Sequence, residues 1–267
     1  MHISLNDLSP MTDLTYQQDQ DNLISASNDA AKIKPFISLK RFTADTRSAN
    51  QHAALTPASG MAIITYVLAG AATYADSTGK QGVLDKDGWA WMIAGSGIWY
   101  SIEPATSDYV AMQVCIALSP ALENSLPRSA YMAPAISAPH EPTQVLIGWH
   151  GKQRSEFAIP AQVNYLVVHL NAHQQWCYDL PLNHQFAWIA LISGSLTTSA
   201  GDELAQGVTV FNRAIGTMDF HASADAILVV GSAQEFDYDL VAYNNSVHTS
   251  SEALHLGLQG IAATANT

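Results

Sequence analysis

The sequence predicts an all-β protein made of two barrels in tandem, and two observations support this prediction. Apolar runs are short and rich in Val, Ile, Tyr, Trp and Thr, and Gly, Asp, Asn and Ser separate them at a spacing typical of sandwiches and barrels. The two halves of the chain also resemble each other in sequence. Long amphipathic helical patterns are missing, which agrees with an all-β fold.

The strand pattern recurs along the chain after a polar and acidic lead-in, which is expected to be flexible or to follow a sheet edge. A helix is expected near the end, where Ser250 or Ser251 can cap the segment that begins at Glu252. Prolines at 127, 134, 139 and 142 indicate a linker between the halves. Strands are expected at about 61–69, 89–94, 97–103, 109–117, 144–149, 163–170, 186–193, 207–211 and 225–231.

Two pairs of matching segments indicate that one unit has been duplicated. The run Tyr66–Gly70 matches Ala190–Gly194, and a Thr follows each run at the same offset. The run Gly88–Met92 is matched more loosely by Gly207–Phe211. The counterparts lie 124 and 119 residues apart, so the sequence predicts two similar barrels of about that length.

The amino-acid composition and net charge limit the kinds of molecule that the protein is expected to bind. The chain has 267 residues, and 11 Lys and Arg against 23 Asp and Glu give a formal charge of −12, which disfavours direct contact with nucleic acid or anionic lipid. Charged residues make up only 13%, so part of the surface is compatible with an oligomer contact. Two cysteines form no disulfide framework, and neither a secretory start nor a long apolar run is present. The expectation is a cytoplasmic protein that does not enter a membrane.

Several stretches resemble the pirin family. The most specific is Trp91–Ile98, which is similar to the family's Trp-Met-x-Ala-Gly-x-Gly-Ile motif. Thr56–Gly70 and the turn Asp76–Gly79 match the segments before it, Lys34–Phe42 resembles the family's opening segment, and Val247–Leu254 resembles its closing helix start. The resemblance covers roughly 34–257 and is weakest in the second half.

The resemblance implies two cupin barrels, each a double-stranded β-helix of the jelly-roll kind. It also implies that the C-terminal segment returns to the first barrel. The expected divisions are a polar N-terminal segment at 1–33, a first barrel at 34–133, a Pro-rich linker at 134–142, a second barrel at 143–236, and a C-terminal segment at 237–267 that is partly disordered at its end.

The resemblance also implies where a metal would bind. Members of the family hold one metal, usually iron, on three histidines and a glutamate of the first barrel. Carried over by position, these ligands fall on Thr56, Ala58, Tyr100 and Ile102, and the family's arginine falls on Ser59. Thr and neutral Tyr are poor ligands for a divalent metal, and Ala and Ile offer none. No cofactor is therefore expected.

Two alternative sites remain open. Glu103 follows the glutamate position, but alternation along a strand should point it out of the barrel unless a bulge intervenes. In the second barrel, shifting Tyr100 and Ile102 by 119 residues lands on Asp219 and His221, and His184 lies in the segment equivalent to the ligand loop. Three such groups can form a facial metal site, and a solvent-facing or hydrogen-bonded pair is the competing interpretation.

The leading hypothesis is a pirin-like protein that has lost its metal and binds a small molecule, or a protein partner in regulation. No catalytic residue is assigned on this hypothesis. The alternative is a cupin dioxygenase similar to the family members that act on quercetin, or another oxidoreductase, using a non-standard site. A metal in a cupin dioxygenase activates oxygen and orients the substrate, so loss of every ligand would remove the reaction centre.

Overall fold

The all-β prediction is confirmed by a computed structural model, which describes residues 22–24, 33–45, 55–134, 141–157, 162–204, 206–212 and 216–265. Most of the predicted N-terminal segment and the last two residues of the chain lie outside the described residues. The chain divides into two compact units. The first contains Phe36–Ala135 and Asp237–Thr267, and the second contains Ile136–Phe236 together with Ile33–Pro35.

The first unit is built from two antiparallel sheets. One sheet has the order β1-β2-β9-β4-β7-β10, and the other has the order β3-β8-β5-β6. The strands of these sheets are β1 (Asn22–Ile24), β2 (Phe36–Thr43), β3 (Thr56–Ala58), β4 (Met61–Ala69), β5 (Ala71–Asp76), β6 (Gln81–Asp85), β7 (Trp89–Ile93), β8 (Ile98–Pro104), β9 (Val110–Ala117) and β10 (Arg128–Met132).

The second unit repeats this plan. Its larger sheet has the order β11-β14-β20-β16-β18, and its smaller sheet has the order β15-β19-β17. The strands of this unit are β11 (Thr143–Ile147), β12 (Trp149–His150), β13 (Gln153–Arg154), β14 (Val163–Leu170), β15 (Gln175–Asp179), β16 (Phe186–Ser193), β17 (Leu196–Thr198), β18 (Gly207–Asn212), β19 (Thr217–Ala222) and β20 (Ala226–Ala233).

Strand order supports the duplication that the sequence indicates. The order β2-β9-β4-β7 of the first unit corresponds to β14-β20-β16-β18 of the second. The matching runs Tyr66–Gly70 and Ala190–Gly194 lie at the ends of β4 and β16, and the looser pair lies in β7 and β18. Two consecutive cupin barrels are consistent with this arrangement.

Several strands were missed by the sequence analysis, among them the eight-residue strand β2 and two strands at sheet edges, β6 and β10. Strand β6 is a mostly exposed edge strand with the sequence QGVLD, so it carries no apolar run to detect. Strand β10 follows Pro127 and pairs with β7 at the edge of its sheet, within the range 34–133 expected for the first barrel. An edge strand bonds on one side only, so prolines beside it do not interrupt the sheet.

The C-terminal segment packs within the first unit. It contains the hairpin of β21 (Val241–Tyr243) and β22 (Ser246–His248), followed by helix α1 (Ser251–Thr264). Ser250 caps α1 by accepting a hydrogen bond from the backbone N–H of Ala253 at 3.1 Å, as one of the two predicted caps requires. No helix in the described part of the chain is long and apolar enough to cross a membrane.

Two leucines of α1 test the docking of this helix. Leu254 is completely buried, whereas Leu256 is 54% exposed. We expect Leu254→Ala to lower the free energy of unfolding of the first unit by about 2–5 kcal/mol, because it leaves a cavity. Leu256→Ala should cost less than about 0.5 kcal/mol, since it removes little buried surface. Denaturant unfolding measures the free energy of unfolding of both variants. An equal loss of stability in the two would contradict the docked position of α1.

Candidate functional site

Pairing between β3 and β8 brings the family's metal positions together in the first unit. In this antiparallel pair Thr56 lies opposite Tyr100, and Ala58 lies opposite Ile98. Tyr100 and Ile102 are two residues apart on β8, so both side chains point to the same face. The four positions therefore lie on the paired strands β3 and β8 of the first unit.

Apolar packing dominates this region. Ala58 and Ile102 are fully buried and Tyr100 is 8% exposed, and all three belong to one core cluster of the first unit. Thr56 is half-buried at the end of β3. Glu103 pairs with Thr73 of β5 and, by strand alternation, points to the face opposite Ile102. No bulge turns it inward, as the alternation argument expected.

A tyrosine–aspartate group lies beside these positions, and sequence reasoning did not select it as a site. The rings of Tyr74 and Tyr131 stack with centroids 3.6 Å apart. The hydroxyl of Tyr131 donates to Oδ2 of Asp76 at 2.8 Å, and Asp76 lies opposite Tyr100 in the pairing of β5 with β8. Tyr131 was missed because no strand was predicted at Arg128–Met132, whereas Asp76 opens the recognised Asp-Ser-x-Gly turn.

Hydrogen bonds keep the Asp76 carboxylate ionised. Its Oδ1 accepts from the backbone N–H of Thr78 at 2.7 Å and from the Thr78 hydroxyl at 2.6 Å. Burial alone would raise the pKa of Asp76, but the hydrogen bonds from Thr78, Ser129 and Tyr131 lower it below its usual value. Burial, followed by the Asp76 carboxylate, raises the pKa of Tyr131. The group therefore presents a protonated tyrosine and a negatively charged aspartate.

The second-barrel candidates do not form the site that the 119-residue offset suggested. Asp219 is exposed and His221 is half-buried on the outer face of β19, while Met218, Phe220 and Ala222 point into the core. His184 is instead 3% exposed, and its Nδ1 lies 2.7 Å from Oγ of Ser232. The 119-residue offset maps inward-facing positions of β8 onto outward-facing positions of β19. Asp219 and His221 therefore lie on the face opposite to the one that a metal site would need.

Across the described ranges, no three His, Cys, Asp or Glu side chains come together as a group that could hold a metal ion. Asp219, His221 and His184 form no such group. The first-barrel set contributes one hydroxyl from Thr56 and one phenol from Tyr100, which do not match the nitrogen and carboxylate ligands of the family.

His184 belongs to a buried hydrogen-bond chain in the second unit. Asn164 donates through Nδ2 to the hydroxyl of Tyr178 at 2.9 Å, and that hydroxyl lies 2.6 Å from Oγ of Ser232. Asn164 also bonds both backbone groups of Trp149, which fixes its amide as the donor to Tyr178. Each hydroxyl group in this series then donates to the next residue. Tyr178 donates to Ser232, and Ser232 donates to Nδ1 of a neutral His184. The neutral state of His184 agrees with its burial, which lowers the pKa of this histidine to about 4.

Comparison with known proteins identifies a family that the first unit resembles. The model of the family described as Pirin matches residues 17–116, which include the paired strands β3 and β8. This part of the chain is therefore similar to the pirin family. This match confirms the resemblance carried by Trp91–Ile98 and the preceding segments.

Individual relatives of this chain are distant in sequence. It is 24% identical over 227 residues to a Pseudomonas aeruginosa protein named "Putative quercetin 2,3-dioxygenase PA2418", a match that covers 80% of this chain and 77% of the relative. A crystal structure of quercetin 2,3-dioxygenase from Acinetobacter baumannii superposes with a TM-score of 0.76 at 15% identity, covering 91% of this chain and 89% of that one. The bacterial pirin YhhW from Escherichia coli, in complex with nickel(II), superposes at 0.64 with 17% identity, covering 80% and 91%. At these identities the structures establish the shared fold.

Acid should weaken the second unit through His184. The unfolded chain takes up a proton near the ordinary pKa of about 6.5, whereas the folded chain resists protonation until about pH 4, so stability falls as the pH drops through this window. We expect a loss of about 3 kcal/mol across it. Burial also lowers the pKa of His150, which adds a loss of the same sign.

Denaturant unfolding at pH 7 and pH 4.5, with hydrogen exchange in β20 identifying the second unit, measures this effect. His184→Gln should remove most of the pH dependence and leave the part due to His150. His221→Gln, on the outer face of β19, is the matched control and should retain the full pH dependence of stability. An unchanged pH dependence in His184→Gln would contradict the proposed neutral state.

Proposed function

We propose that this pirin-like protein acts by binding, as a small-molecule or regulatory protein, without the metal chemistry of the pirin family. The observation that carries the proposal is the replacement at Thr56, Ala58, Tyr100 and Ile102, three of which pack into the apolar core of the first unit. A metal at this place would be surrounded by methyl and ring carbon atoms rather than by ligands. The residues present do not fit the family's iron, so no catalytic step is assigned to it.

The side chains that remain suit recognition of a small molecule. The half-buried, stacked rings of Tyr74 and Tyr131 supply a π surface, and the ionised Asp76 beside them supplies negative charge. Such a combination favours a ligand with an apolar or aromatic body over an anionic one. A regulatory role through a protein partner is the second form of the same binding hypothesis.

Quercetin dioxygenase activity is the competing function. The names of the Pseudomonas and Acinetobacter proteins favour it, because both refer to quercetin 2,3-dioxygenase. The YhhW complex adds that a related fold holds nickel(II). Activity in this protein would require ligands other than the side chains at the four family positions.

Metal content separates the two functions. The protein is expressed in media supplemented with iron, copper, manganese or nickel, and bound metal is measured by mass spectrometry alongside quercetin consumption. We expect well under one metal per chain and no quercetin turnover. Near-stoichiometric metal that is lost when Thr56 or Tyr100 is substituted would overturn the binding proposal in favour of the dioxygenase.

Reconstruction of the family ligands tests whether the site was lost only at these positions. The quadruple variant Thr56→His, Ala58→His, Tyr100→His and Ile102→Glu should bind Fe(II) or Ni(II), since β3 and β8 already hold the positions together. We expect weak binding, because partners that orient the ligands typically change affinity about 10–100-fold. Anaerobic calorimetry measures it.

The matched control keeps the three histidines and places Gln instead of Glu at position 102. It should bind the metal more weakly, because the ligand charge is lost while size and shape are kept. If a folded quadruple variant binds no metal at all, the surroundings of the site have changed along with its ligands.

A further inference from the structure

A buried serine, histidine and glutamate join three separate parts of the first unit. Oγ of Ser59 lies 2.9 Å from Nε2 of His248, and Nδ1 of His248 lies 3.3 Å from Oε2 of Glu123. Glu123 in turn accepts hydrogen bonds from the backbone N–H and hydroxyl of Thr249, at 2.6 and 2.7 Å. Ser59 follows β3, Glu123 lies between β9 and β10, and His248 ends β22.

The same three residue types form hydrolytic centres in other folds, but burial assigns this group a different role. Ser59 and His248 are completely buried and Glu123 is 2% exposed. Gly257 of α1 covers the group, since a Cβ at that position would lie 2.4 Å from Nε2 of His248 and 2.6 Å from Oγ of Ser59. A nucleophile needs space for a substrate carbonyl, and backbone atoms already fill that space.

The Glu123 carboxylate is a charged component of this group. Burial alone would raise its pKa, but the close contact with His248 and the hydrogen bonds from Thr249 lower it below the usual value for glutamate. A buried carboxylate with three such contacts is held firmly, and loss of a partner would leave it unsatisfied. The contacts therefore oppose any displacement of β22 from the rest of the unit.

Backbone contacts reach the strand that carries two of the family's metal positions. The backbone N–H of Val247 donates to the carbonyl of Ser59 at 3.1 Å, and Ser59 forms a parallel bridge with Ser246. Ser59 directly follows Ala58, the last residue of β3. The hairpin that precedes α1 is thus bonded to the end of β3 by both backbone and side chain.

Helix α1 reaches the other strand of the site. Nε1 of Trp99 donates to the carbonyl of Ile261 at 3.0 Å, and Trp99 directly precedes Tyr100 on β8. A Cβ at Gly260 would lie 2.0 Å from the carbonyl oxygen of Ser96, so the helix backbone approaches the start of β8 closely. One C-terminal segment therefore contacts both β3 and β8.

We propose that residues 246–261 form a strap that holds β3 and β8 in register and thereby sets the geometry of the candidate site. Docking of the strap and the arrangement of Thr56, Ala58, Tyr100 and Ile102 are then coupled, so release of α1 would loosen the site. Only the functional consequence rests on the binding role proposed above. The strap itself is a property of the ligand-free chain and can be measured without a ligand.

The first test removes the charge of the buried carboxylate. Hydrogen exchange of the full chain is compared for Glu123→Gln and for Glu252→Gln, an exposed glutamate of α1 that undergoes the same chemical change. In Glu123→Gln we expect exchange in β3, β8 and α1 to accelerate about tenfold or more, because a buried charged contact is lost. Exchange in the central strands β4 and β9 should change much less. Glu252→Gln should leave β3 and β8 unchanged.

The second test separates docking from helix propensity. Gly257→Ala raises intrinsic helix propensity but drives a Cβ into His248 and Ser59, whereas Ala262→Gly lowers propensity at an exposed position of the same helix. If the strap holds β3 and β8, hydrogen exchange in these strands should accelerate in Gly257→Ala and not in Ala262→Gly. If intrinsic helix propensity instead controls the exchange of β3 and β8, Ala262→Gly would accelerate that exchange more than Gly257→Ala does. That result would overturn the proposal.

Two further results would overturn the strap. One is unchanged exchange of β3 and β8 in folded Glu123→Gln and Gly257→Ala. The other is equal acceleration across β3, β8, β4 and β9, which would indicate a loss of overall stability rather than local release. Neither result depends on metal content or quercetin turnover, so failure of the strap is distinct from failure of the binding role.

Discussion

The antiparallel pairing of β3 with β8 is the constraint on which the candidate site depends. Strand β3 contains only Thr56–Ala58, and it pairs with β8 at all three residues. This short pairing places Thr56 against Tyr100 and directs Tyr100 and Ile102 toward the core. A strand of this length has few ladder hydrogen bonds of its own, so neighbouring contacts at Ser59 and Trp99 matter for its position.

Strand alternation decides which side chains face the core in both units. In β8 the even-numbered residues from Ile98 to Ile102 are buried, and in β19 the buried residues are Met218, Phe220 and Ala222. An offset of 119 residues maps an even position onto an odd one. Asp219 and His221 consequently face outward.

Both units place polar groups inside their apolar interiors and satisfy them in chains. In the first unit, the chain of Ser59, His248 and Glu123 links distant segments through an ionised carboxylate. In the second unit, the chain that ends at His184 is neutral and directional, so protonation of the histidine would disturb it. Buried polar atoms are costly without partners, which is why each chain stabilises one particular packing of its strands.

The sequence by itself determined the fold class, the positions of most of the longer strands and the cap of α1. These features follow from local pattern, since alternation, β-branched runs and capping residues act over a few neighbouring residues. The stacking of Tyr74 on Tyr131, the outward face of Asp219 and the meeting of Ser59 with His248 were decided only by tertiary structure. Ser59 and His248 are 189 residues apart, and no local pattern specifies a contact at that separation. Such contacts depend on loop lengths and sheet register, which are set when the whole core packs.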